Sequence, residues 1–306
     1  MDTSPQTPER LAASVFAVPP MARNSELQVC PTQNQKIVSH LEAGGVNLLL
    51  YGGNAVFYHI RMQEYAQTLA MLTDIAGPQT GVVPSIGPAF GTMMDQVEVL
   101  KDFDFPTVMV LPSRDVADAE GIATGIRKAA EALGKPVVVY LKFDRWLAPQ
   151  TVASLLDDGL VSWIKYAVVR DDPSEDEYLQ ELLDAVPGDR VVSGIGEQPA
   201  IIHMRDFGVG SFTSGCVCVA PKKSMAMLRA IQAKDYDTAE SIRQEFEGLE
   251  DQRNSIHPIR VLHRALDLAG IAETGPMLPL LSELTPEQEQ ILQPIAKSLL
   301  DLDASA

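Results

Sequence analysis

A lysine inside an apolar segment is the residue of this chain with the most evident chemical potential. Lys165 lies within VSWIKYAVV (161–169), a run typical of a buried strand. Burial penalises the charged form of an amine and so lowers its pKa. A neutral amine can attack a carbonyl carbon and form a Schiff base. From this strand alone a second interpretation stays open, in which the ammonium group reaches solvent or pairs with a carboxylate.

Two further side chains have a spacing that could serve such an amine. Tyr140 ends an apolar run 25 residues before Lys165, about one strand–helix unit. A phenol beside an iminium-forming amine can transfer protons, although a tyrosine at a strand end is also commonly a packed aromatic. Arg145, in the loop that follows, could hold a substrate carboxylate through two hydrogen bonds, and a surface salt bridge is the equal alternative.

The elements that must position these residues alternate along the chain. Short apolar runs without polar alternation indicate parallel strands that are covered on both faces. The segments between them, such as 61–75 and 116–133, have helical periodicity. The predicted strands are Ser14–Pro19, Val46–Tyr51, Thr80–Pro84, Thr107–Leu111, Pro136–Leu141, Val161–Ala167, Arg190–Ser193 and Gly210–Thr213.

Eight strand–helix units of roughly 26 residues predict a (β/α)8 TIM barrel, in which catalytic groups lie at the carboxyl ends of the strands. An open doubly wound sheet is the competing fold, but no GxGxxG motif follows the first strand. We expect a loose N-terminal segment at 1–13, the barrel at 14–225 and a C-terminal helical extension at 226–306. Its predicted helices span 235–249, 256–269 and 286–302, the last with Thr285 as the N-cap residue.

Composition excludes several classes of function. The chain of 306 residues has 24 basic and 41 acidic side chains and a formal charge of −17, which argues against nucleic-acid partners and anionic membranes. Three cysteines and five histidines show no disulfide framework and no zinc spacing. We find no signal-peptide pattern and no apolar run long enough to span a membrane, and we expect a cytoplasmic protein.

Several segments together resemble the family of dihydrodipicolinate synthase and N-acetylneuraminate lyase, which are class I aldolases on a β/α barrel with a C-terminal helical extension. PVVVYLKFDR (136–145) resembles the fifth strand, which ends in the family's tyrosine, and WIKYAV (163–168) resembles the sixth, which carries the Schiff-base lysine. VVSGIGE (191–197) and GVGSFTSGCVCVAPK (208–222) resemble the seventh and eighth. YGGNAVFYHI (51–60) stands where the family has GTTGEFYSL.

The resemblance implies a role for each matching residue. Lys165 would be the Schiff-base lysine and Tyr140 the catalytic phenol. The substrate-binding residues that it implies are Gly53, Asn54, Arg145, Gly194 and Phe212. No metal and no organic cofactor would be needed, because the iminium itself accepts electrons. The family also implies a homo-oligomer, a tetramer or a dimer, whose partner is a small keto acid.

The chain departs from the family's pattern at its proton relay. Gly53 and Asn54 replace the two threonines of GTTGE, and Arg114 stands where the relay tyrosine is expected. We therefore predict a Schiff-base lyase that acts on pyruvate or a related 2-keto acid, by aldol chemistry or sugar-acid dehydration, and not a true dihydrodipicolinate synthase. The alternative is a non-catalytic binding or regulatory paralogue that kept the lysine.

Overall fold

A parallel sheet closes into a barrel in the computed structural model, which describes residues 1–114 and 116–306. Each predicted strand overlaps an observed segment, and the prediction of a TIM barrel is confirmed. Within the described residues the segments are β1 (Phe16–Ala17), β2 (Leu48–Leu50), β3 (Gly81–Val83), β4 (Ser85–Ile86), β5 (Met109–Val110), β6 (Val137–Leu141), β7 (Val161–Tyr166), β8 (Val191–Ser193) and β9 (Ser211–Ser214).

The barrel closes at Pro84. The order of the segments is β3-β2-β1-β9-β8-β7-β6-β5-β4, so β3 and β4 stand at its two ends. These two segments are separated only by Pro84 and together occupy the position of the third barrel strand. Proline has no N–H for the ladder, but its carbonyl oxygen accepts a hydrogen bond from Met109 N at 2.8 Å. The sheet therefore has eight strand positions.

Helices surround the barrel and continue beyond it. Within the described residues they are α1 (Pro8–Ala12), α2 (Pro31–Ala43), α3 (Met62–Ile75), α4 (Phe90–Leu100), α5 (Ala119–Leu133), α6 (Pro149–Asp157), α7 (Glu177–Ala185), α8 (Ala200–Arg205), α9 (Pro221–Gln232), α10 (Tyr236–Ser255), α11 (Pro258–Leu268) and α12 (Pro286–Ala304). The last three form the predicted extension. Thr285 caps α12 in a reciprocal capping box with Gln288, which explains the sharp start of this helix.

The first 13 residues differ from the loose segment that we expected. They contain helix α1, whose Leu11 is fully buried, and Arg10 donates a hydrogen bond to Asn47 Oδ1 at 2.7 Å. The expected end of the barrel at residue 225 falls inside α9. The division into barrel and extension remains our proposal, with α9 as the eighth helix of the barrel.

Most of the strands are rich in apolar residues because the barrel buries both of their faces. Trp163 on β7 is fully buried and its ring lies 4.8 Å from that of Phe16 on β1. All six residues of β7 are buried, including Lys165 near its carboxyl end. Among the described residues, none of the helices combines the length and the apolar character that crossing a membrane requires.

Candidate active site

The structure brings Lys165 and Tyr140 together at the carboxyl end of the barrel. They are register partners on the neighbouring parallel strands β7 and β6. Nζ of Lys165 lies 4.5 Å from the centre of the Tyr140 ring, over its face. The spacing of one strand–helix unit therefore places the amine and the phenol side by side, as the sequence predicts.

The surroundings of Lys165 favour its neutral form. Its side chain is 6% exposed, and no carboxylate among the described residues forms an ion pair with it. Burial, together with the positive charges of Lys142 and Arg253, lowers the pKa of Lys165 to about 7. A larger share of the molecules than for an exposed lysine therefore carries the unprotonated amine at neutral pH, which is the nucleophilic form.

Gly194 makes room for this lysine. A Cβ atom at position 194 would lie 2.7 Å from Cβ of Ala167 and 2.9 Å from Cε of Lys165. Both distances are below any normal carbon–carbon contact, so a side chain here would displace the lysine. Gly194 thus leaves the space that the lysine side chain occupies.

A cavity of about 270 Å³ opens above Lys165 and Tyr140. Its lining includes the amine of Lys165 and the cationic side chains of Lys142 and Arg253. No aspartate or glutamate is found among its described lining residues, although the chain has a net charge of −17. The cavity is therefore a local positive region in an acidic protein, which suits an anionic ligand.

Gly53 and Asn54 line this cavity, as the family resemblance implies. No acceptor among the described residues takes the backbone N–H of either one. One side-chain N–H of Asn54 donates to the carbonyl oxygen of Val18 at 2.9 Å, which holds the loop in place. A Cβ atom at position 53 would meet only Tyr58, at 3.9 Å, so the space above Gly53 is open. This turn can present free N–H donors to a carboxylate.

Arg145 does not reach the cavity, so its predicted contact with substrate is wrong for this structure. Its guanidinium group donates to both carboxylate oxygens of Glu181, at 2.6 and 3.0 Å, and to Glu177 at 3.1 Å. The backbone of Arg145 has φ +51°, and this left-handed turn directs the side chain toward α7. Arg114 is likewise exposed, with its guanidinium 4.8 Å from the ring centre of Phe143.

Phe212 lies on the wrong face of β9 for its predicted role. Its side chain is fully buried in the core, and Thr213 lines the cavity in its place. Successive side chains of a strand point to opposite faces, so a shift of one residue separates core from cavity. The eighth strand is therefore part of the site, through Thr213.

The C-terminal extension contributes residues that the sequence did not indicate. Arg253, at the end of α10, and Asn254 and His257 after it line the cavity. Lys142, two residues after Tyr140, lies exposed at the mouth. The position of Lys142 at a strand end could have been recognised, whereas nothing in the periodicity of α10 indicates that its last turn meets the barrel.

Two buried carboxyl groups attach α10 to the barrel. Glu197 accepts hydrogen bonds from Ser214 Oγ and Ser224 Oγ, each at 2.7 Å, and its backbone N–H donates to Glu250 Oε1 at 2.9 Å. Burial raises the pKa of Glu197 and of Glu250. Cys216 lies beside them, within 4.8 Å. Because Nη1 of Arg253 lies 3.7 Å from Cys216 Sγ, a guanidinium group already supplies positive charge to this cluster.

The site and the fold define a β/α barrel with an amine-bearing cavity at its mouth. No protein-family model matches the chain. The chain is 23% identical to a probable 5-dehydro-4-deoxyglucarate dehydratase of Rhizobium meliloti over 256 residues, covering 80% of this chain and 82% of that protein. It is 25% identical to one of Cereibacter sphaeroides over 304 residues, covering 95% and 96%.

Solved structures show the same fold. Dihydrodipicolinate synthase of Bacillus clausii has a TM-score of 0.85 at 21% identity, covering 95% of this chain and 98% of that one. The enzyme of Oceanobacillus iheyensis has a TM-score of 0.83 at 22% identity, covering 95% and 97%. The resemblance to the dihydrodipicolinate synthase and N-acetylneuraminate lyase family is confirmed. So is the prediction of a lyase-type enzyme, and a non-catalytic paralogue is not favoured.

Proposed function

We propose that this chain is a Schiff-base dehydratase of a keto-deoxy sugar acid, of the type of 5-dehydro-4-deoxyglucarate, the compound in the names of its relatives. The observation that carries the proposal is the buried Lys165 beside Tyr140, in a cavity with positive side chains and no carboxylate among its described lining residues. A nucleophilic amine and an anion-binding cavity are what a 2-keto acid requires.

The chemistry follows from the structure of this compound. It has six carbons, a carboxylate at each end, a ketone at C5, a methylene group at C4 and hydroxyls at C3 and C2. The amine of Lys165 adds to C5, and the carbinolamine loses water to give an iminium. Loss of a proton from C4 then gives an enamine, which expels the C3 hydroxyl as water. Hydrolysis of the remaining iminium releases the product and the free lysine, so the net change is the loss of one water.

Tyr140 supports these proton transfers. Burial raises the pKa of its phenol to about 12, so the group stays protonated at neutral pH and can donate to the departing oxygen of the carbinolamine. Its ring lies against Nζ of Lys165, and in this proposal its hydroxyl serves the bonds that change. The carboxylate next to the ketone would bind the free N–H groups of Gly53 and Asn54.

Substrate choice provides the first test. We expect the enzyme to dehydrate 5-dehydro-4-deoxyglucarate at least about 100-fold more efficiently than it condenses pyruvate with aspartate semialdehyde. In the family, the condensation requires a proton relay of threonine and tyrosine side chains. Here Gly53 stands at a threonine position and has no side-chain proton, and Arg114 stands at the tyrosine position and lies outside the cavity. Comparing kcat/KM for these two reactions and for aldol cleavage of keto-deoxy sugar acids shows which reaction the enzyme catalyses. Efficient condensation would contradict the assignment.

The pH dependence of imine formation provides a second test. Because only the neutral amine attacks, the rate with pyruvate should fall about tenfold per pH unit below pH 7 and level off above it. Single-turnover trapping with borohydride between pH 5 and 9 measures this. Lys142→Met should move the midpoint upward, since the charge of Lys142 lowers the pKa of Lys165. A rate that still rises steeply between pH 8 and 9 would show an unperturbed lysine.

Two further parts of the assignment rest on the family resemblance, and a third rests on the cysteine content of the chain. We propose that pyruvate is also accepted at Lys165, that the chain forms a homo-oligomer and that it acts in the cytoplasm. Its three cysteines are free, as a reducing compartment would leave them.

A further inference from the structure

Arg253 supplies positive charge to the buried cluster of Glu197, Glu250 and Cys216, and one of its guanidinium nitrogens still has no acceptor among the described residues. It lines the cavity that contains Lys165, and no carboxylate among the described residues lies within salt-bridge distance of it. Its Nε donates to the carbonyl oxygen of Pro258 at 3.3 Å and its Nη1 contacts Cys216 Sγ at 3.7 Å. Nη2 has no acceptor among the described residues. A guanidinium group presents paired N–H donors that match a carboxylate.

The surrounding structure holds this guanidinium in place. A Cβ atom at Gly215 would lie 2.8 Å from Nη2 and 2.9 Å from Cζ of Arg253, so only glycine lets the group lie against the barrel end. From the other side, the backbone N–H of Glu197 donates to Glu250, one turn before Arg253 on α10. The helix that carries Arg253 is therefore fixed to the strand end that carries Gly194 and Gly196.

The Lys165 side chain and the Arg253 guanidinium line the same cavity and lie against the same short backbone segment, Gly194–Gly196. Gly194 touches the Lys165 side chain, and the Cβ position of Gly196 lies 4.0 Å from Nη1 of Arg253. These two glycines are two residues apart, a span of at most about 7 Å. A ketone and a carboxylate four carbons further along an extended chain are separated by roughly 5 Å. One six-carbon keto acid can reach both groups.

We infer that Arg253 binds the distal carboxylate of the substrate and makes the enzyme selective for dicarboxylic over monocarboxylic keto acids. The inference rests on the proposed function, since it assumes that the keto group lies at Lys165. Lys142 is the competing cation, but it lies exposed at the mouth, where water screens its charge more strongly. Arg145 is excluded because its guanidinium is already paired with Glu181 and Glu177.

The test compares two ligands of equal length that differ only at the far end. 2-Oxoadipate has a distal carboxylate and 2-oxohexanoate has a methyl group there. Calorimetric titration gives an affinity for each and requires no turnover. We expect the wild-type protein to bind 2-oxoadipate roughly ten- to 100-fold more tightly, the contribution of a charge-assisted hydrogen-bonded pair.

Three variants isolate Arg253. Arg253→Gln should bring the ratio of the two affinities close to one, and Arg253→Lys should restore part of it. Arg145→Gln, which removes a surface arginine, should leave the ratio at its wild-type value. Because the ratio cancels effects common to both ligands, a general loosening of the site would not imitate the result.

The outcomes separate this inference from the proposed function. A wild-type ratio near one, binding of neither ligand, an unchanged ratio in Arg253→Gln, or loss of the ratio only in Lys142→Met would each overturn the role of Arg253. The proposed function fails by a different result, the absence of dehydration of 5-dehydro-4-deoxyglucarate by the wild-type enzyme. Selective binding without dehydration would therefore leave the role of Arg253 supported and the reaction assignment rejected.

Discussion

Replacing Lys165 with methionine is expected to lower dehydration by at least about 10⁴-fold, because it removes the nucleophile that forms the covalent intermediate. Methionine has a similar length and no charge, so it fits the apolar end of β7. The measurement is kcat under saturating substrate, together with the loss of any borohydride-trapped adduct. Activity within tenfold of wild type would rule out a Schiff base at this residue.

The same substitution is expected to raise the melting temperature. The pKa of Lys165 falls from 10.5 in the unfolded chain to about 7 in the folded one. At neutral pH, folding must therefore either remove the proton of the ammonium group or bury that charged group, and both cost free energy. This cost is absent above pH 10.5, grows as the pH falls, and is complete below about pH 7. The gain in melting temperature should therefore be larger at pH 6 than at pH 9. Lys36→Met, which changes an exposed lysine on α2, serves as the control and should produce no such gain.

Replacing Tyr140 with phenylalanine is expected to slow turnover by roughly 10²- to 10⁴-fold, the usual contribution of a positioned acid–base group. The ring that packs against Nζ of Lys165 is kept, so the fold and the position of the amine should persist. Tyr58→Phe is the matched control, because the Tyr58 hydroxyl donates to the carbonyl oxygen of Pro112 at 3.2 Å. We expect the control to lose less than tenfold.

The readout for Tyr140→Phe is kcat measured alongside trapping of the imine. A slow enzyme in which Lys165 still forms its adduct would assign the phenol to proton transfer. An unchanged rate with full trapping would show that Tyr140 only packs against the lysine.

The barrel and the pairing of Lys165 with Tyr140 could be predicted because both depend on periodic features of the sequence. Buried parallel strands are continuous apolar runs, and the strand–helix repeat has nearly constant length. A polar residue near the end of each run must therefore reach the same mouth. Gly194 was predictable for a similar reason, since it directly follows β8.

The residues that bind the rest of the ligand could not be predicted, for three physical reasons. The direction of Arg145 depends on a left-handed loop conformation that its sequence does not reveal. The choice between Phe212 and Thr213 depends on a register difference of one residue. Arg253 reaches the cavity through packing of α10 against the barrel, a contact between distant parts of the chain. The positive charge at the mouth comes instead from Lys142 and Arg253.

Borohydride reduction in the presence of pyruvate or 5-dehydro-4-deoxyglucarate, followed by peptide mass mapping, tests the Schiff-base assignment most directly. We predict a mass increase equal to the reduced adduct on the peptide that contains Lys165, formed by the wild-type enzyme and absent from Lys165→Met. An adduct at a different lysine, or dehydration with no adduct at any lysine, would contradict the assignment.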